Sequence, residues 1–268
     1  MVRATRRGFA FGCLLAAGLL WAPTWAWLSQ RQGDPNPAVA AVPQLLAWWA
    51  VRHAERVARA KIGKGDIDLL FVGDSITQNY EKPGPAPDEV FLPIWEEYFA
   101  PHKALNLGYS GDQTQNVLWR LQHDEVDGLT PRDVVLLIGT NNTVAKPNAT
   151  VPQTAEQVTA GVEAVVDELH RRLPAAKITV IEILPSGISA EKSAKDAAVN
   201  RAVAARYAAI LYVRMLDLSG LFMKDGALDA GLFYDRRLKA HGAPLHPDSE
   251  AQWKMAAAVE AALYAGSR

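Results

Sequence analysis

Asp68-Leu69-Leu70-Phe71-Val72-Gly73-Asp74-Ser75-Ile76-Thr77 is an apolar run that stops abruptly at Gly-Asp-Ser. Leu69 to Val72 holds no polar residue, as expected of a strand covered on both faces in a parallel sheet. Four further runs have the same character: Ala104–Leu107, Val134–Ile138, Ile178–Ile183 and Leu211–Leu216. Helical patterns separate them at Asp88–Phe99, Gln113–His123, Thr154–Arg172 and Ala190–Ala208. A last one runs from Ser249 to Ala265, with Ser249 and Gln252 spaced as a capping box. Leu45–Ala60 precedes the first strand, with Leu45, Leu46, Trp49 and Val57 at helical spacing, and Trp48 and Trp49 read as packing residues. This alternation predicts a doubly wound α/β sandwich in a single domain, whose ligand crevice lies at the carboxyl ends of the strands.

The chemistry-bearing residues fall at those ends. Gly73-Asp74-Ser75 puts a hydroxyl in the first loop, where it can act as a nucleophile if a base is in reach and donors face the developing oxyanion. The competing reading is an ordinary turn, since Gly, Asp and Ser are common turn residues. Asn106-Leu107-Gly108-Tyr109-Ser110-Gly111-Asp112 follows the second strand, and its glycines let backbone amides approach a ligand; the Gly111 N–H is a candidate oxyanion donor. Ile138-Gly139-Thr140-Asn141-Asn142 ends the third strand, with a side-chain amide able to donate. Leu245-His246-Pro247-Asp248 precedes the final helix and offers a base.

Taken in order, Gly73-Asp74-Ser75, Gly111, Gly139-Thr140-Asn141 and His246 resemble the four sequence blocks of SGNH/GDSL hydrolases. The similarity is greatest to the platelet-activating-factor acetylhydrolase catalytic-subunit type. Ala104–Gly108, Val117-Leu118-Trp119-Arg120-Leu121 and Gly139-Thr140-Asn141-Asn142 carry it, with Leu184-Pro185, Asn200 and Leu216-Asp217, so that it covers about Asp66 to Leu263. The resemblance implies a flavodoxin-like three-layer α/β/α sandwich with a five-stranded parallel sheet. It also implies metal-free, cofactor-free ester hydrolysis. Ser75 would be the nucleophile and His246 the base, with Ser75 N–H, Gly111 N–H and the Asn141 side chain forming the oxyanion hole. One position departs from the pattern: the family places an Asp three residues before the histidine, and this chain has Ala243. The ring must then be oriented by a backbone carbonyl or another acid, such as Asp235 or Asp248. A Ser–His dyad is the expectation, with Asp248 assigned to the helix start and Asp74 given no proton-transfer role.

Composition sets the outer limits. The chain has 268 residues, 49% apolar and 21% charged, which excludes wholesale disorder. A net charge of -1 without a basic stripe excludes nucleic acid as a partner. His53, His102, His123, His170 and His241 lack metal-ligand spacing, so no metal is expected. Arg3, Arg6 and Arg7 precede an uncharged stretch, Gly8 to Leu28, that holds the single cysteine, Cys13. Residues 1–26 read as a signal peptide or an uncleaved membrane anchor, the only membrane contact expected. Thr5-Arg6-Arg7-Gly8-Phe9 also resembles a twin-arginine signal. Residues 27–42 are then a linker and 43–268 the hydrolase domain, placed in the periplasm or secreted. Asn148-Ala149-Thr150 matches a glycosylation acceptor and is read as a coincidence.

The resulting expectation is an exported serine esterase that removes short acyl groups, acetyl first, from a small ester or an acylated carbohydrate. Two rivals stand beside it. One is an O-acetyltransferase of exopolysaccharide, cellulose included, working through the same acyl-enzyme. The other is a non-catalytic carbohydrate-binding protein on the same fold, for which Ala243 is the main support.

Overall fold

The computed structural model describes residues 35–144, 152–238 and 241–264. Residues 1–26, expected as a signal peptide or membrane anchor, and Asn148-Ala149-Thr150 lie outside them. Five strands form one sheet: β1 (Leu69–Gly73), β2 (Ala104–Gly108), β3 (Asp133–Leu137), β4 (Lys177–Ile181) and β5 (Val213–Leu216). Their order is β2-β1-β3-β4-β5 and every pairing is parallel. The helices are α1 (Ala47–Ile62), α2 (Ser75–Gln78), α3 (Leu92–Tyr98), α4 (Thr114–Gln122), α5 (Thr140–Thr143), α6 (Ala155–Arg172), α7 (Ala190–Tyr207) and α8 (Ser249–Tyr264). A two-stranded hairpin of β6 (Met223–Lys224) and β7 (Ala227–Leu228) follows β5. No helix among the described residues is long and apolar enough to cross a membrane.

Successive strand residues face opposite sides of a sheet, so each apolar run supplies two cores. Leu70, Val72, Leu107, Val134 and Leu136 face one way, against Val117 of α4, Val165 of α6 and Val203 of α7. Leu69, Phe71, Val135 and Leu137 face the other way, against Ile94 of α3 and Met255 of α8. The expected three-layer α/β/α sandwich is therefore observed.

The boundaries differ where local chemistry overrules periodicity. The helix expected over Asp88–Phe99 is a 3-10 turn at Pro87–Glu89 followed by α3, because Pro93 is tolerated only in a first turn. Leu211, expected to open the fifth strand, is 98% exposed, and β5 starts two residues later. Asp248, not Ser249, caps α8: its Oδ1 accepts the Ala251 N–H at 2.9 Å, while Ser249 donates to Pro87 O at 3.2 Å. Gln252 completes no capping box; its side chain reaches back to donate to Ile76 O at 3.1 Å.

The segment expected as a linker, in its described part, is a strap on the domain. Ala38 is buried, and its carbonyl accepts from Thr114 Oγ1 at 2.8 Å. Asn36 donates to Gln157 O, and Asn116 to Val42 O. The strap lies this close because α6 carries Gly161, where a Cβ would stand 2.9 Å from that of Ala38. The strap then turns so that Gln44 faces inward, which leaves Leu45 94% exposed. Trp49 is buried as expected, whereas Trp48 is 41% exposed.

Gly108 is a tight joint at the sheet edge. A Cβ there would lie 2.3 Å from Gln78 N and 2.7 Å from Thr77 C, backbone atoms of α2 that cannot step aside. Gly108→Ala should cost about 1–3 kcal/mol in urea unfolding, as overpacking does. Gly220→Ala, with nothing within 4 Å of its Cβ, should stay within about 0.5 kcal/mol. Equal midpoints for the two variants would show that α2 is not seated on β2 in this way.

Candidate active site

The sheet register brings the loops together. Gly73 at the end of β1 stands beside Gly108 of β2 and Leu137 of β3. Ser75, Gly111 and Asn141 follow these three residues within four positions, so all three lie at one edge of the sheet. Ser75 opens α2, largely buried at 8% exposure. Asp74 caps that helix through Oδ1, which accepts the Ile76 N–H at 3.0 Å.

His246 arrives from the segment before α8. Its Nε2 is 3.0 Å from Ser75 Oγ, and its Nδ1 is 2.6 Å from Asp235 Oδ1. With Nδ1–H donating to the carboxylate, Nε2 keeps its lone pair towards Ser75. The other Asp235 oxygen accepts the backbone N–H of His246 at 2.6 Å and of Leu245 at 2.9 Å. Burial raises the Asp235 pKa, but the hydrogen bonds and charge of His246 and the two amides outweigh it and hold the carboxyl below its usual range.

This corrects the expectation of a dyad. The acid exists but sits eleven residues before the histidine rather than three. Residues 232–235 run antiparallel to 246–248, joined by Tyr234 N–His246 O at 3.1 Å and Asp248 N–Leu232 O at 2.9 Å. Nearby, the Gly242 N–H donates to Asp235 O at 3.0 Å. Ala243 is exposed and has no part in holding the ring. Asp248 belongs to the helix start, as expected.

Gly111 has φ +78° inside a turn closed by Asp112 N–Tyr109 O at 3.1 Å. Asn141 is buried; its Nδ2 donates to Asp112 O at 3.0 Å, and its backbone carbonyl accepts from Gln113 Nε2 at 2.9 Å. Asn142 serves packing instead, donating to Thr114, Gln115 and Gln153. Behind α5, Thr143 is held by the buried Lys192–Asp196 pair. The structure thus brings Ser75, His246, Gly111 and Asn141 to one edge, and their local chemistry suits proton transfer from a hydroxyl and donation to an oxyanion.

Sequence reasoning gave Asp235 only as an alternative and missed Tyr234, whose ring stacks on His246 at 5.5 Å and whose hydroxyl accepts from Asn79. The available signal was Leu232-Phe233-Tyr234-Asp235, an apolar run ending in an acid. His53, His102, His123 and His170 each stack on an aromatic ring. Among the described residues no group of three or more His, Cys, Asp or Glu is placed to hold a metal.

A doubly wound sheet with Ser, His and Asp in hydrogen-bonded line at its carboxyl edge defines an SGNH-type hydrolase fold. The model of the GDSL-like Lipase/Acylhydrolase family matches residues 71–254. The chain is 35% identical over 212 residues to platelet-activating factor acetylhydrolase IB subunit alpha2 of Rattus norvegicus, covering 76% of this chain and 83% of that one. It is 34% identical over 209 residues to the alpha1 subunit of Homo sapiens, with 76% and 82% covered. Among solved structures, a GDSL-like lipase from Bacteroides thetaiotaomicron has TM-score 0.60 at 17% identity, over 80% of this chain and 97% of that one. An acetylxylan esterase from Geobacillus stearothermophilus has TM-score 0.54 at 17% identity, over 72% and 92%. The chain belongs to the GDSL-like lipase/acylhydrolase family and is a carboxylic-ester hydrolase.

Asp74 gives the site a pH signature. Burial raises its pKa from 3.8 to about 6 against the Ile76 amide, and its Oδ2 has no hydrogen-bond partner among the described residues. The folded protein therefore holds this proton more tightly than the unfolded chain does, and the contribution of Asp74 to stability falls as pH rises from about 4 to about 6. At about 1.4 kcal/mol per unit, wild type should lose about 3 kcal/mol relative to Asp74→Asn across that window. Urea unfolding of both proteins at pH 4 and pH 7 measures it, and a pH-independent difference would contradict the raised pKa.

Proposed function

We propose that the chain is an exported serine esterase removing short acyl groups, acetyl foremost, through an acyl-enzyme on Ser75. The observation that carries this reading is the line Ser75 Oγ–His246 Nε2–Nδ1–Asp235, with steps of 3.0 and 2.6 Å. His246 takes the Ser75 proton as Oγ attacks the ester carbon, and Asp235 stabilises the imidazolium that forms. The tetrahedral oxyanion is received by the Ser75 and Gly111 N–H groups and by the second N–H of the Asn141 amide, the first being held by Asp112 O. Collapse expels the alcohol, which leaves with the proton from His246. A water then attacks the acyl-Ser75, again with His246 as base, and His246 returns the proton to Ser75 Oγ as the carboxylic acid departs.

The names of the relatives support acetyl as the acyl group: one set is called acetylhydrolases and a structural neighbour an acetylxylan esterase. The arginine-led apolar segment supports export and an envelope or polysaccharide ester as substrate. With Asp235 in place, Ala243 no longer argues for a non-catalytic binding protein.

With 4-nitrophenyl acetate, Ser75→Ala and His246→Ala should fall to background. Asp235→Asn should lose about 10²–10⁴-fold in kcat, and Asp248→Asn should stay within a few-fold. Asn141→Ala should lose about 10²–10³-fold. Unchanged turnover in Ser75→Ala would end the proposal; unchanged turnover in Asp235→Asn alone would restore the dyad. For export, residues 1–34 fused to a reporter that folds only outside the cytoplasm should give signal, and a Lys substitution at Leu19 should abolish it.

A further inference from the structure

Asp112 immediately follows Gly111, yet its carboxylate turns away from the site. The residue is fully buried. Its Oδ1 accepts from Gln44 Nε2 at 2.6 Å and Trp49 Nε1 at 2.7 Å, and its Oδ2 accepts from Arg120 Nε at 2.8 Å. Its backbone carbonyl faces the other way and accepts from Asn141 Nδ2 at 3.0 Å. One residue thus joins a buried ionic cluster behind the site to the amide in front.

Arg120, also fully buried, extends the grip to the nucleophile loop. Its Nη2 donates to Gly73 O at 3.4 Å, two residues before Ser75, and its guanidinium lies 3.9 Å from the centre of the Tyr109 ring. Glu125 accepts from Nη1 and from the Tyr109 hydroxyl, and the Tyr109 N–H returns to Gly73 O at 3.0 Å. The turn carrying Gly111 is therefore pinned at both ends, at Tyr109 and at Asp112.

We infer that Asp112 is a positioning residue that sets the oxyanion hole, its carboxylate held by Arg120, Trp49 and Gln44 while its carbonyl aims the Asn141 amide. The inference rests on Ser75, Gly111 and Asn141 acting as proposed above. A buried ion pair is weak support for stability, since apolar side chains of the same volume often serve as well. What the pair supplies here is direction. Oxyanion donors work only when held within a fraction of an ångström of the transition-state position, and a carboxylate fixed by three donors has no rotational freedom left. Gln44 belongs to the strap and Trp49 to α1, so the N-terminal strap helps to hold the site in shape.

The test uses the full chain as wild type, Asp112→Asn, Trp49→Phe, Asn141→Ala and Asp112→Asn/Asn141→Ala. Each is assayed for kcat and KM on 4-nitrophenyl acetate and for affinity towards methylboronic acid, whose Ser75 adduct places a negative oxygen in the hole. Asp112→Asn should lower kcat by about 10²-fold with KM within a few-fold, and weaken the boronate by the same factor. Trp49→Phe, missing one donor, should show a smaller loss with the same pattern. The double variant should be no worse than Asn141→Ala, because both changes act on one amide. Folded Asp112→Asn and Trp49→Phe proteins with lower unfolding midpoints but unchanged kcat and boronate affinity would overturn the inference and leave the cluster structural. If Asp112→Asn does not fold, Trp49→Phe decides alone. A wild type that neither turns over ester nor binds boronate would instead remove the functional reading, and this inference with it.

Discussion

Gly73, Gly108 and Leu137 stand side by side across three parallel strands, and at the first two no side chain larger than hydrogen fits. A Cβ at Gly73 would lie 2.5 Å from Leu137 O, and one at Gly108 would meet the backbone of α2. These close approaches let α2 sit directly on the sheet edge, with Ser75 as its first residue. Asn106 secures the seat, donating to Thr77 O at 2.8 Å and accepting the Gly108 N–H at 2.8 Å. The three loops after these strands then start from one level. Their short lengths leave Ser75, Gly111 and Asn141 little room to separate.

The histidine has no such support from the sheet, since it comes from a loop before the last helix. Its place depends on the antiparallel run of 232–235 against 246–248, and on one carboxylate that binds both its ring and its backbone. Because Asp235 is tied to the amides of Leu245 and His246, the acid and the base move as one body. The chain between them is therefore not required for the hydrogen bond.

Most of the fold was legible because buried parallel strands are written as apolar runs, and all five were visible in that way. The misplaced ends have separate causes: Pro93 delays α3, Asp248 outcompetes Ser249 as a cap, and Leu211 is apolar but outside the sheet. The candidate site was legible in Ser75, Gly111 and Asn141, which follow strand ends, and in His246, which precedes the last helix. The acid was not, because its distance in sequence from His246 depends on a loop that carries no periodic signal. The strap was read as a linker for a related reason. Its attachment is made of single hydrogen bonds from Asn36, Thr114 and Asn116, and of the gap at Gly161, none of which has a pattern.

The electrostatics of the site suit the charges that the proposed reaction would create. Attack by Ser75 on an ester would turn two neutral groups into an imidazolium and an oxyanion, and the protein would then have to favour positive charge at His246 and negative charge at the ester oxygen. Asp235 supplies the first, and its hydrogen bonds keep it ionised for the purpose. For the second, a nearby carboxylate is a hazard, and Asp112 is adjacent in sequence to one of the donors. The fold meets this by turning that carboxylate to the rear, against Arg120, and presenting the backbone carbonyl, which fixes the direction of the Asn141 amide. Asp74 is held differently: its Oδ1 accepts the Ile76 N–H at 3.0 Å, and burial raises its pKa to about 6. Three buried aspartates thus stand in the loops of the site, each with its own partners: Asp235 on His246, Asp112 on Arg120, Trp49 and Gln44, and Asp74 on the Ile76 amide.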